Sequence, residues 1–442
     1  MRSFEKNIPE APNSENFTLQ DFISTEGDTL LERVGHFSEY LGSIQARGEA
    51  LYAREIVGPS GPRVDVRDTL TGKVTSMVMM GSNNYLGFAN HPKVKEFVCA
   101  SVEQNGVGMG GPPLLSGMSA IHRELEKKLA ALKHQEDALI YPSGFQANTG
   151  WTGALLRTRD HLICDELHHA SMFDGMRVAR MSARFHPHIM KHNDLENLEY
   201  LLRKSKLSIQ TDRANSGKSG QIFVAVEGVY SMDGDIAPLD KIAALCTQYG
   251  ATLVVDDAHG TGVLGKNGGG TACHFGVSDQ VALSMGTFSK SFGVTGGFIA
   301  GRKAVIDYLR YFSRSYMFSA HIPQVIAAAV IAGIDLLSND TSIQNKLHQN
   351  VRYMVKGLNE IGYPVNTESA IIPIILSEDT DVRLLGRRLH EEGLFANLIE
   401  APAVPKDSQR IRLSIMATHS TADLDFTLGV LKKLGQDFGL TT

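Results

Sequence analysis

The chain has 442 residues, 43% apolar and 21% charged, enough for two or three packed lobes and ordinary for a globular protein. A net charge of −5 gives no basic footprint for nucleic acid. No run of about 18 apolar residues occurs, so no membrane span is predicted.

The N-terminus, MRSFEKNIPEAPNSENF, lacks the apolar core of a secretory signal. Cys99, Cys164, Cys246 and Cys273 are scattered and read as reduced thiols rather than a disulfide framework. These features predict a cytoplasmic protein, with weak peripheral contact at the inner membrane face left open.

Residues 1–28 read as a mobile polar arm. Leu31, Val34, Phe37, Leu41 and Ile44 recur at helical spacing and predict an amphipathic helix over Leu30–Glu49. Met77–Met80 is a short apolar run. Helices are predicted over His91–Gln104 and His122–Leu132, a strand over Asp137–Tyr141, and a helix from about Gln146. Leu162–Asp165, Phe185 onward, Ile222–Glu227, Thr252–Asp256 and Val281–Ser284 read as strands, with a helix over Leu239–Tyr249. Ser205–Gly220 reads as a polar surface loop. This βαβ rhythm predicts a mainly parallel sheet covered on both faces, with ligands at the C-terminal strand ends. Helices over Ala320–Leu337 and Thr341–Ile361 follow. Strands Ile371–Leu376, Leu394–Leu398 and Ile411–Ser414, with helices Asp381–Glu392 and Ser420–Phe438, then predict a smaller α+β lobe. The expected divisions are an arm and helix over 1–75, a large domain over 76–325, and a small domain over 326–442.

Three motifs are set aside. Gly106–Gly111 spells GVGMGG, but a helix precedes it and Pro112-Pro113 follows, the wrong context for a dinucleotide loop. Ser216–Ser219 lacks the first glycine of a P-loop, since Asp212 stands there. His186, His188 and His192 are too local to close a metal site, and no metal is expected.

Four segments at strand ends carry polar chemistry. Lys290 follows a β-favouring run and is flanked by Thr287, Ser289 and glycines; an amine so placed suits a Schiff base, and a solvated loop lysine is the plainer alternative. Asp256 ends a buried strand, where a carboxylate is costly unless paired; a pyridinium nitrogen or a capping role would each explain it. His259 lies three residues on. His169 is placed to stack on a planar ring or to face solvent. Ser143-Gly144-Phe145 opens a helix whose N–H groups would take a phosphate, or is a plain turn. Together these are the parts of a pyridoxal phosphate site.

The combination resembles the α-oxoamine synthases, which join an amino acid to an acyl thioester with loss of carbon dioxide. The resemblance runs from about residue 45 onward. It is carried by Ser82–Gly87 (SNNYLG), Ser143-Gly144-Phe145, His169-Ala170-Ser171, Glu227–Asp235 (EGVYSMDGD), Asp256–Gly262 (DDAHGTG), Thr287–Lys290 (TFSK) and Arg412-Leu413-Ser414. It implies a fold type I, aminotransferase-like α/β architecture binding pyridoxal 5'-phosphate, in a homodimer with sites at the subunit interface. Lys290 would carry the cofactor, Asp256 pair with its ring nitrogen, His259 touch its hydroxyl and His169 stack on its face. Ser143, Gly144, Phe145, Thr287 and Ser289 would hold the phosphate. Glu227 and Ser231 would line the same pocket, and Ser319 would serve the neighbour's site. Asn83 and Arg412 would bind substrate, the arginine taking its carboxylate. Met317–Ala320, Glu368–Ile374, Pro402–Pro405 and Met416–His419 resemble the serine palmitoyltransferase branch, which implies serine and palmitoyl-CoA giving a 3-keto sphingoid base. The alternatives are alanine or glycine with another acyl-CoA or carrier-protein donor, or a non-catalytic subunit that bears cofactor. Pro112-Pro113 and Glu400 depart from relatives that carry arginine there.

Overall fold

The computed structural model describes residues 17–441. The first sixteen residues of the expected polar arm lie outside it. The rest of that arm is anchored rather than loose: the Phe22 ring packs 4.7 Å from Tyr40 and 5.6 Å from Phe37 on the helix Leu30–Ala46. A capping box between Thr29 and Glu32 starts that helix.

Strands β1 (Glu55–Val57), β2 (Arg63–Arg67) and β3 (Val74–Met79) form an antiparallel meander. Seven strands follow: β4 (Asp137–Tyr141), β5 (His161–Asp165), β6 (His186–Met190), β7 (Ile222–Glu227), β8 (Thr252–Asp256), β9 (Val281–Thr287) and β10 (Gly297–Gly301). They make one sheet in the order β4-β10-β9-β8-β7-β5-β6. β10 runs antiparallel to both its neighbours, and β9 through β6 are parallel. This is the mainly parallel sheet that the βαβ rhythm predicts, in the fold type I, aminotransferase-like architecture that the resemblance implies.

The parallel strands are continuous apolar runs because helices cover both faces. On one face Leu162, Cys164, Phe223, Ala225 and Val254 pack with Trp151 of the helix Gly144–Leu155 and Met172 of Ala170–Arg180. On the other, Ile163, Val224, Val226 and Val255 pack with Leu198, Leu202 and Ile242. The alternation is the period-2 pattern of a strand buried on both sides.

The last strands are β11 (Ile371–Ile375), β12 (Leu394–Phe395), β13 (Asn397–Ile399) and β14 (Arg410–Ser414). β11-β14-β13 is an antiparallel sheet, whereas β12 pairs parallel with β3. Leu394–Leu398 is therefore not one strand: the chain changes sheets at Ala396. Residues 75 and 325 both fall inside elements, β3 and the helix Gln324–Asn339.

Ser205–Gly220 is not a loop. The helix Leu195–Ser216 runs through most of it, capped by Asp194 at the start and by Gly217 in the left-handed region at the end. Only Leu198, Leu201, Leu202 and Ser205 of this helix are buried, so its second half has no apolar stripe to read. Among the described residues no single helix is long and apolar enough to cross a membrane.

Candidate active site

The C-terminal ends of β7, β8 and β9 lie level. Glu227 is the register partner of Asp256, and Asp256 of Met285. A cavity of about 250 Å³ opens above them, lined by Ser143, Gly144, Phe145, His169, Glu227, Asp256, His259, Thr287, Ser289 and Lys290 among others. Ten residues singled out in the sequence, drawn from five separate segments, thus share one cavity.

Lys290 and His259 are in contact, Nζ to Nε2 at 2.6 Å. Burial lowers the Lys290 ammonium from the ordinary 10.5 to about 8, although Asp256 and Glu227 pull it back up. Burial, then Lys290, hold His259 well below the usual imidazole range, so its ring is neutral at pH 7. When Lys290 is protonated it donates to Nε2, which leaves the His259 proton on Nδ1. That nitrogen lies 2.7 Å from Tyr85 Oη, and Tyr85 donates to Asn83 Oδ1 at 3.2 Å. Arg412 donates to the same Asn83 oxygen at 3.1 Å and through Nε to the Ser231 carbonyl. Asn83, Ser231 and Arg412 therefore form a second cluster outside the cavity lining, joined to Lys290 by a hydrogen-bonded chain.

Asp256 is held from the side. Asn148 Nδ2 donates to its Oδ2 at 2.7 Å and the Ala258 N–H to its Oδ1 at 3.2 Å. Ser171 accepts a second Asn148 bond at 2.9 Å and also meets His169 Nδ1 at 2.8 Å, fixing that ring. Burial and the Asp256 charge push the Glu227 carboxyl well above its usual range. Its Oε1 is buried without a hydrogen-bond partner, 3.8 Å from His168 Nδ1.

A planar ring with a phosphate fits these residues. The helix Gly144–Leu155 points its N-terminus at the cavity, and its first N–H groups need acceptors from outside the helix. A Cβ on Gly144 would lie 3.1 Å from Thr287 Cβ, closing that end. Thr287 and Ser289 hydroxyls, 2.9 Å apart, stand beside it. The buried Asp256 charge has an open side toward the cavity, where a protonated ring nitrogen would compensate it.

Ser319 does not line this cavity; it accepts from Gln146 Nε2 at 2.9 Å, in the first turn of the helix Gly144–Leu155. Sequence reasoning gave no role to Tyr85, Asn148 or Ser171. Asn148 stands four residues after Gly144, one helical turn, which places it on the same face. Among the described residues no cluster of His, Cys, Asp and Glu could hold a metal ion.

A family model for aminotransferase class I and II matches residues 75–431. The chain is 38% identical over 402 residues to an 8-amino-7-oxononanoate synthase of Petrotoga mobilis, covering 91% of this chain and 98% of that one. It is 39% identical over 373 residues to a serine palmitoyltransferase of Bacteriovorax stolpii, covering 84% and 86%. The solved serine palmitoyltransferase of S. paucimobilis with bound PLP and myriocin superposes with a TM-score of 0.83 at 27% identity, covering 93% of this chain and all of that one.

Proposed function

The chain belongs to the aminotransferase class I and II family and, within it, to the α-oxoamine synthases, pyridoxal phosphate-dependent acyltransferases, and from that premise we propose that it condenses serine with a long-chain acyl thioester, palmitoyl-CoA first among them. In the net reaction a bond forms between the amino acid Cα and the acyl carbonyl carbon. The thiol leaves, and the carboxylate departs as carbon dioxide. Pyridoxal phosphate, when bound, supplies the electron sink that lets Cα lose its substituents.

The observation that carries this reading is the Lys290–His259 contact beside Asp256. Lys290 is the tether and base: its depressed pKa lets Nζ take and return a proton near neutral pH. His259 keeps Nζ aimed, and its own low basicity prevents it from competing for that proton. Asp256, steadied by Asn148, keeps a ring nitrogen protonated, and His169 forms the wall over the ring. Ser143, Gly144, Phe145, Thr287 and Ser289 hold the phosphate at the helix N-terminus. Glu227, its carboxyl pushed well above the usual range by burial and by Asp256, closes the cavity floor. Arg412, gripped by Ser231 and Asn83, offers its forked donors to the substrate carboxylate. On this reading residues 76–325 bind the cofactor and 326–442 supply Arg412.

The serine reading is supported by superposition on serine palmitoyltransferase structures at TM-scores up to 0.84, against 0.66 for an 8-amino-7-oxononanoate synthase at 22% identity. The number of curated relatives named 8-amino-7-oxononanoate synthase, at 36–38% identity, favours a second reading with alanine and a shorter acyl donor. We include a homodimer in the proposal. Leu115 and Phe318 are 84% and 70% exposed, as a second copy would require, and Ser319 follows directly on Phe318. Product mass spectrometry separates the readings, with serine, alanine and glycine each paired with palmitoyl-CoA and pimeloyl thioesters. A 3-keto C18 amine from serine is expected; an alanine product with the shorter donor alone overturns the serine reading.

A further inference from the structure

Asp256 ends β8 and Asp257 follows it directly, and the two aspartates face opposite ways. Asp256 lines the cavity. Asp257 turns behind it, into protein, where its side chain and that of Lys133 are each 1% exposed. Lys133 caps the C-terminus of the helix Ala120–Leu132. Its three ammonium protons are all used: Nζ donates to Asp257 Oδ2 at 2.5 Å, to Thr261 Oγ1 at 2.9 Å and to the Gly269 carbonyl at 3.1 Å. Thr271 Oγ1 donates to Asp257 Oδ1 at 2.7 Å, and the Thr271 N–H reaches both carboxylate oxygens. Glycines make room for this carboxylate. A Cβ on Gly228, Gly260 or Gly270 would lie 2.5, 2.1 or 1.7 Å from one of its oxygens.

A buried ion pair is not in itself a source of stability, because desolvating two charges offsets their attraction. This one is tied to the reactive amine through its hydrogen bonds. Asp257 N–H donates to the Met285 carbonyl on β9. Thr261 donates to the Asp257 carbonyl from both N (2.9 Å) and Oγ1 (2.7 Å). The Thr261 carbonyl accepts from Ser291 Oγ at 2.7 Å, one residue past Lys290. The loop so fixed carries His259, whose Nε2 meets Lys290 Nζ.

We propose that Lys133 and Asp257 are positioning residues for Lys290: their ion pair pins the loop Asp256–Thr261 from behind, sets the His259–Lys290 contact, and keeps the protein behind Asp256 electrically neutral. The inference rests on Lys290 being the reactive amine, and its test needs no substrate.

In cofactor-free protein, Lys290 is acetylated with acetic anhydride across a pH series and its peptide is quantified by mass spectrometry. The charged or titratable groups facing this amine are Asp256, Glu227, Arg412, His259 and His169. Lys133→Met leaves the Asp257 carboxylate uncompensated and raises the midpoint for Lys290; Asp257→Asn leaves an unpaired ammonium and lowers it. Each shift is about half a pH unit to one unit. The neutral double variant returns the midpoint to wild type but exchanges its Ala258–Gly262 amides faster. A pair that only stabilises the fold lowers the melting temperature in all three variants and leaves the Lys290 midpoint in place, and that result overturns the proposal. Should the single variants fail to fold, Thr261→Val decides, since it keeps charge and volume. Amide exchange across Ala258–Gly262 is expected to accelerate about tenfold, and wild-type exchange overturns the proposal. A wild-type Lys290 midpoint like that of an exposed lysine would instead sink the assignment of Lys290.

Discussion

Replacing the Asp256 carboxylate by an amide, Asp256→Asn, is expected to lower the midpoint for Lys290, not raise it. The wild-type amine stands at about 8 against an ordinary 10.5. The difference, 10.5 − 8 = 2.5, corresponds to about 3 kcal/mol favouring the neutral form. At pH 7 roughly one amine in ten is then neutral, against ~1 in 3000 for an ordinary lysine. Burial drives this depression, and the Asp256 carboxylate opposes it. The amide would still accept the bond from Asn148 Nδ2 but would carry no charge. Without that anion the ammonium loses a partner, and the midpoint falls by on the order of one unit, toward 7. The neutral fraction at pH 7 then rises to about one half. Acetylation of Lys290 against pH in cofactor-free protein measures this directly. An upward shift in Asp256→Asn, or a wild-type midpoint near 10.5, refutes the electrostatic account of the site.

Other substitutions probe the supporting residues. Asn148→Ala removes a donor from Asp256 and is expected to weaken pyridoxal phosphate binding about tenfold, read by titrating the visible band; unchanged affinity would show that Asp256 needs no support. Arg412→Lys keeps the charge but loses the fork, so KM for the amino acid should rise roughly tenfold or more with kcat less affected, and equal loss in both would place Arg412 in the chemical step. His192 bonds Asp165 at 3.1 Å and Asp235 at 2.9 Å, and although burial opposes it, those carboxylates raise the imidazole from 6.5 to about 10. A raised folded pKa gives stability that is complete below pH 6.5 and lost as pH climbs through about 10. The urea-unfolding gap between wild type and His192→Gln should therefore be a few kcal/mol at pH 6 and shrink toward pH 10; a constant gap contradicts the ion pairs.

The sheet was legible because β5, β7, β8 and β9 are apolar runs buried on both faces, each ending in a residue out of keeping with that run. β1 and β2 escaped notice although Arg63–Arg67 alternates cleanly, because five residues with two buried make a faint signal. The Leu195–Ser216 helix looked like a loop where it faces solvent. In the site, residues that would touch the cofactor announced themselves at strand ends. Those that hold them did not: Tyr85 reaches His259 across 174 positions, Lys133 reaches Asp257 across 124, and Asn148 reaches Asp256 across 108. Such pairings are created by topology, and no local pattern encodes them.

The parallel pairing of β3 with β12 bears on how the chain is made. β3 ends at Met79 and β12 begins at Leu394, so 394 − 79 = 315 positions separate a strand from the partner that covers its open edge. At roughly 5–20 residues per second, a ribosome takes about 16 to 60 s to deliver that partner. During that interval Met77, Val78 and Met79, buried in the finished protein, lie on an uncovered edge strand, which invites pairing with other nascent chains. Yield during rapid expression should depend on how well that edge is shielded while synthesis continues.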